Sequence, residues 1–79
     1  MKTDFALPEP IHRLLGTRWR HLKRGTEYLI LDIATMQCSV NPELDYQNVV
    51  IYVPVGRDPH DTWVRFASEF FDGRFERLD

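Results

Sequence analysis

The chain has 79 residues, 43% apolar and 13% aromatic, with twelve carboxylates against ten Lys and Arg. That composition excludes a disordered polyelectrolyte, which needs low hydrophobicity and high net charge, and the length excludes more than one ordinary domain. One cysteine, Cys38, excludes an internal disulfide and fits a reducing compartment.

In chain order, residues 1–8 read as a loose arm pinned by Phe5 and Leu7. MKTDFALPEPIH lacks the apolar run of a signal peptide. Residues 9–15 read as a short helix: Pro10 suits a first helical turn, Ile11, Leu14 and Leu15 recur at helical spacing, and Gly16 is a stop. Its expected role is to cover an open end of a sheet. TRWRHL is a first strand, and KRGT a turn in which Gly25 supplies the permissive backbone. EYLILDIATM is a second strand, apolar on both faces from Tyr28 to Ile33, the pattern of a central strand. QCSVNPELDYQ has no period and contains the turn signal Asn41-Pro42, so a long surface loop is expected. NVVIYV is a third strand. PVGRDPHD is turn-rich, and TWVRF is a fourth strand that sets Trp63 and Arg65 against Val64 and Phe66. ASEFF is one helical turn, Asp72-Gly73 a tight turn, and RFERL a short last strand.

Five short strands at near-regular spacing predict a mainly β fold, a small five-stranded antiparallel barrel over residues 17–78, in a single domain 1–79. Closing the sheet would remove its exposed edges. No apolar run approaches a membrane span, so a soluble cytoplasmic protein with no membrane partner is expected. The charge is uneven. Residues 1–40 carry six positive and four negative side chains, residues 41–79 four positive and eight negative. That asymmetry reads either as a small dipolar protein or, more sharply, as an acidic surface made for a basic partner.

GTRWRHLKRGTEYLIL, VVIYV and TWVRFASEFFDGRF together resemble a bacterial and phage family of short single-domain proteins of unknown function. The shared positions are Trp19, Arg20, His21, Lys23, Tyr28, Val49 to Tyr52, Trp63 to Arg65 and Glu69 to Phe71. They span about residues 16 to 75. The resemblance implies an SH3-like barrel in a bacterial host and no established activity. The chain departs from the family at Phe66, where the family has Pro, and in the loop that carries Cys38. In size and style the chain is also similar to small phage anti-CRISPR inhibitors.

Strand alternation places Trp19 and His21 on one face and Arg18 and Arg20 on the other. Two readings of this stretch follow. In one, Trp19 is core, His21 a hydrogen-bonded inward histidine, and the arginines are solvated or ion-paired. In the other, Arg18, Arg20, Lys23 and Arg24 form a nucleic-acid-binding strand with aromatic platforms. The first is preferred because the whole chain is not basic, and tight binding to generic nucleic acid is not expected. RDPHD sets Asp58, His60 and Asp61 together, but a turn without a second cluster falls short of a structural zinc site. Cys38, Ser39 and Ser68 lie in no nucleophile motif, and no Gly-rich phosphate loop is present. Neither catalysis nor a cofactor or metal is expected.

EFFDGRFERLD carries Glu69, Asp72 and Glu76 around Phe71 and Phe75. This acidic-aromatic segment is the expected partner-binding surface, with one of the two phenylalanines partly exposed as an anchor. Trp19 and Trp63 are both assigned to the core. The function expected is a non-enzymatic binding module. Its sharpest form is a phage-type, anti-CRISPR-like inhibitor that blocks the nucleic-acid-binding surface of a protein or nucleoprotein complex. The alternative is a nucleic-acid or nucleoprotein adaptor using strand 18–24. The oligomeric state is left open, with a monomer favoured.

Overall fold

The computed structural model describes residues 5–79; the first half of the expected arm, residues 1–4, lies outside the described residues. Five antiparallel strands form one sheet: β1 (Arg18–His21), β2 (Glu27–Thr35), β3 (Asn48–Pro54), β4 (Trp63–Phe66) and β5 (Phe75–Arg77). Two single-turn helices accompany them, α1 (Ile11–Leu14) before β1 and α2 (Ala67–Phe70) between β4 and β5. The strand order is β4-β3-β2-β1-β5. The mainly β class and all five strands agree with the sequence reading. The edges are β4 and β5, and no hydrogen-bonded ladder joins them among the described residues.

The inner face carries the core. Trp19, Tyr28, Ile30, Ile33, Val50, Tyr52 and Phe75 project from the strands, and α2 adds Ala67 and Phe70. Rings dominate it. Phe70 and Phe75 stack at 4.1 Å, and Tyr52 meets Phe70 edge-on at 5.2 Å. Edge-to-face and offset contacts of this kind add to the burial of the rings themselves. Leu14 of α1 is fully buried, and Phe5 and Leu7 pack on the same cluster, so the helix and the arm's end act as a lid on the core. Gly16 stops the helix in the left-handed region (φ 78°), and its N–H donates to the Ile30 carbonyl at 2.8 Å.

β2 is central by pairing, as its composition implied, but it is not buried on both faces. The register jumps from Ile30↔Tyr52 to Asp32↔Ile51, which leaves Leu31 as an extra residue in a β-bulge. The bulge turns Ile33 inward three residues after Ile30 and leaves Leu31 exposed. Leu31 and Val64 remain in solvent. The loop after β2 is closed at its neck, where the Met36 and Tyr46 N–H groups donate to the Gln47 and Met36 carbonyls, each at 2.8 Å. A 3-10 turn, Pro42–Leu44, begins where the Asn41 side chain accepts from the Glu43 N–H. Among the described residues no helix is long and apolar enough to cross a membrane.

Candidate functional site: a cationic cleft with an aromatic floor

The alternation in β1 is as expected. Trp19 and His21 are buried, and Arg18 and Arg20 are exposed on the opposite face. Arg18 pairs with Glu27 at 2.6 Å, and Arg20 lies across the ladder from Glu27 on one side and Glu76 on the other. Half of the expected basic strand therefore faces carboxylates of its own sheet.

Lys23 and Arg24 are placed differently. They sit in the β1–β2 turn, where Gly25 takes φ 76° and its N–H donates to the His21 carbonyl at 2.7 Å. The Arg24 N–H donates to His21 Nδ1 at 3.2 Å, so the imidazole itself props the turn. The Leu22 N–H donates to the Arg74 carbonyl at 3.0 Å, tying the turn to the start of β5. This brings Lys23, Arg24, Arg65 and Arg74 around His21 in an open concavity of about 880 Å³. A second concavity of about 230 Å³ shares His21, Arg24 and Arg65 and adds Tyr28, Tyr52, Trp63 and Phe75. The two are one cleft, cationic at one end and aromatic at the other. Among the described residues no carboxylate lines either part.

Arg65 spans the two parts. β4 pairs Tyr52 with Trp63 and Val50 with Arg65, which puts Trp63 and Arg65 on the inner face at the open edge of the sheet. The Arg65 guanidinium lies over the Phe75 ring, 5.4 Å from its centroid, and its Nε donates to the Tyr52 hydroxyl at 3.2 Å. Trp63 is 48% exposed, which corrects its assignment to the core. Its strand is an edge of the sheet, with β3 as its hydrogen-bonded neighbour. Among the described residues it is the tryptophan without a ring–ring partner, whereas Trp19 meets Phe70 and Phe71 edge-on.

His21 stands edge-on to Phe75 at 5.0 Å and is 9% exposed. Its pKa is lowered from the ordinary value near 6.5, first by burial, then by the charges of Arg24, Arg65, Arg74 and Lys23. At neutral pH it is therefore a neutral ring whose Nδ1 accepts from Arg24 and whose proton is on Nε2.

The expected acidic-aromatic surface is only partly assembled. Glu69 lies between Arg65 at 3.9 Å and Arg74 at 3.8 Å, and Asp72 binds Arg74 at 3.0 Å. Glu69 and Asp72 thus converge, but around arginines. Glu76 is exposed, on the β5 face opposite to Phe75. Phe75 is a core ring, 6% exposed, and is no surface anchor. Phe71 is half-buried, stacked on Phe5 at 6.5 Å and edge-on to Trp19. Asp58, His60 and Asp61 are exposed, and among the described residues no three His, Cys, Asp or Glu side chains converge as metal ligands. Cys38 is half-buried in the loop after β2, where its N–H donates to the Asp45 carboxylate.

Arg65, Arg74 and Trp63 were not among the expected site residues. The signal for two of them was present: TWVRF puts an arginine on the same face as the tryptophan assigned to the core. An arginine on an inward face needs an opening to solvent, and that opening is the cleft. Comparison with protein-family models, with curated proteins and with solved structures returns no match.

Proposed function

We propose that this protein is a non-enzymatic binding module of the adaptor type, and that its working surface is the cationic cleft, which holds an anionic segment of a nucleoprotein partner. The observation that carries this reading is the convergence of Lys23, Arg24, Arg65 and Arg74 on a concavity lined by no carboxylate among the described residues, in a chain of net charge −2. Glu69 and Asp72 offset the charges of Arg65 and Arg74; the repulsion that Lys23 and Arg24 add is what a bound anion relieves. Lys23 and Arg24 have no ion-pair partner among the described residues. Their donors are free for a ligand.

The acidic-face inhibitor draws less support. Glu69 and Asp72 already satisfy arginines of the same chain, which reduces the negative field they present to a basic partner. The nucleic-acid reading of the basic segment is also relocated: Lys23 and Arg24 line the cleft, while Arg18 and Arg20 lie on the other face.

The test is a ¹⁵N-resolved NMR titration with inorganic tripolyphosphate at low salt. The expected outcome is saturable shifts confined to residues 21–25, 65 and 74. Shifts spread evenly over surface arginines, Arg18 and Arg20 included, would reject the cleft.

A further inference from the structure

We infer that the cleft recognises a nucleotide unit, with its base stacked on Trp63 and its phosphate held by Arg24 and its cationic neighbours. The inference rests on the cleft being the anion-binding surface, and adds what lies beside the anion. A phosphate site alone needs only the end formed by Lys23, Arg24 and Arg74. The aromatic end has no role in that, yet it shares Arg24 and Arg65 with the cationic end. Trp63 stands at its rim half-exposed and free of ring contacts among the described residues, while Tyr28, Tyr52 and Phe75 are engaged with one another edge-on.

An exposed indole beside Arg24, which has no ion pair among the described residues, with Lys23 in the adjoining end, is an arrangement that binds a base and its backbone phosphate together, since every base offers a π-face. The aromatic part, about 230 Å³, is below the range of roughly 300–1,000 Å³ typical of drug-sized pockets. It suits one planar group, not a folded ligand. The base must be unpaired to reach Trp63, so the source is single-stranded nucleic acid or a free nucleotide, and duplex is excluded from the aromatic end. The acidic remainder of the molecule limits the footprint to a few phosphates.

The experiment uses the full chain with Trp19→Phe, so that Trp63 is the only fluorophore of its kind. It is titrated with an eight-nucleotide thymidine strand, the same length of uridine strand, free uridine monophosphate, a hairpin duplex and a doubly phosphorylated peptide. The expected result is saturable quenching by the single strands, weakened roughly tenfold between 50 and 200 mM salt, as release of counterions from two or three phosphates requires. In parallel, fluorescein-labelled strands and anisotropy compare Trp63→Ala and Trp63→Phe. Alanine should weaken strand binding about tenfold or more, the scale of one lost base stack, and phenylalanine should restore most of it; both should keep the wild-type circular dichroism. Quenching by the monophosphate at the strand's affinity would identify a free nucleotide as the source. Strand binding indifferent to Trp63→Ala, or a phosphopeptide or duplex bound better than the strands, would overturn the inference while tripolyphosphate shifts at residues 21–25 still upheld the cleft. Absence of every anion from the cleft would overturn both.

Discussion

The two tryptophans divide the labour that sequence assigned to both. Trp19 is 9% exposed, packed between Phe70 and Phe71, and its indole N–H donates to Thr17 Oγ1 at 2.8 Å. Trp63 is half in solvent. Trp19→Ala should therefore cost about 3–5 kcal/mol, the range for large buried aromatics, and Trp63→Ala about 1–2 kcal/mol from its partial burial. Urea midpoints for the two variants check the order; equal losses would return Trp63 to the core. Thr17 is the residue that makes a buried indole tolerable. Its hydroxyl donates to the Leu14 carbonyl at 2.6 Å while accepting from Trp19, so one side chain joins α1 to the core. Thr17→Ala leaves the buried Trp19 indole N–H unsatisfied, while the Leu14 carbonyl keeps the Thr17 backbone N–H at 3.3 Å; the loss is about 1–3 kcal/mol, and Thr17→Ser should recover most of it. His21 adds a pH dependence. Its folded pKa lies below its unfolded value, so the unfolded chain binds the proton more readily. Its contribution is complete above about 6.5, the unfolded value, and is lost as pH falls from there toward the folded pKa. Stability curves of wild type and His21→Gln should converge on acidification from pH 7.5 to 5. Parallel curves would show that the ring is not held neutral.

At the level of elements, the strands were legible because alternation and turn residues agree. KRGT, Asp72-Gly73 and the segment 55–61 each fall between strands, and the ends of β1 to β5 lie within a residue or two of the expected ones. What was not legible is the bulge in β2. Leu29, Ile30, Leu31 and Ile33 are all aliphatic, so composition could not tell which of them faces in; only the pairing with β3 reveals that Leu31 is the extra residue. The β1–β2 turn is the element on which the site depends. Gly25 holds a left-handed backbone with open space where a Cβ would go, so Gly25→Ala suffers only the backbone penalty, about 1–2 kcal/mol. The same substitution should move the His21 and Arg24 amide resonances, because that turn sets the Arg24 N–H on Nδ1.

For the molecule as a whole, the first-half excess of positive charge and second-half excess of negative charge did not become two opposed faces. Folding interleaves them. Arg65 and Arg74 from the acidic half join Lys23 and Arg24 from the basic half, and Glu69 and Asp72 neutralise part of that cluster from outside the cleft. A linear tally of charge cannot register this, since the return of β5 to β1 pairs residues as far apart in sequence as Trp19 and Arg77. The opening basic stretch was thus read correctly for Trp19, His21, Arg18 and Arg20 and for the turn that carries Lys23 and Arg24; what sequence did not show is that Arg65 and Arg74, from distant strands, join those two in the cleft.

The central claim is that anion recognition is local to the cleft and independent of net charge. Retention on immobilised heparin at neutral pH tests it most directly, with three proteins run together. Wild type, despite its net charge of −2, should be retained at low salt and eluted by a modest salt step. Lys23→Glu/Arg24→Glu should pass unretained, and Arg18→Glu/Arg20→Glu, with the same change in net charge, should elute near the wild type. Flow-through of the wild type, or equal loss in both charge-reversed proteins, would contradict the account.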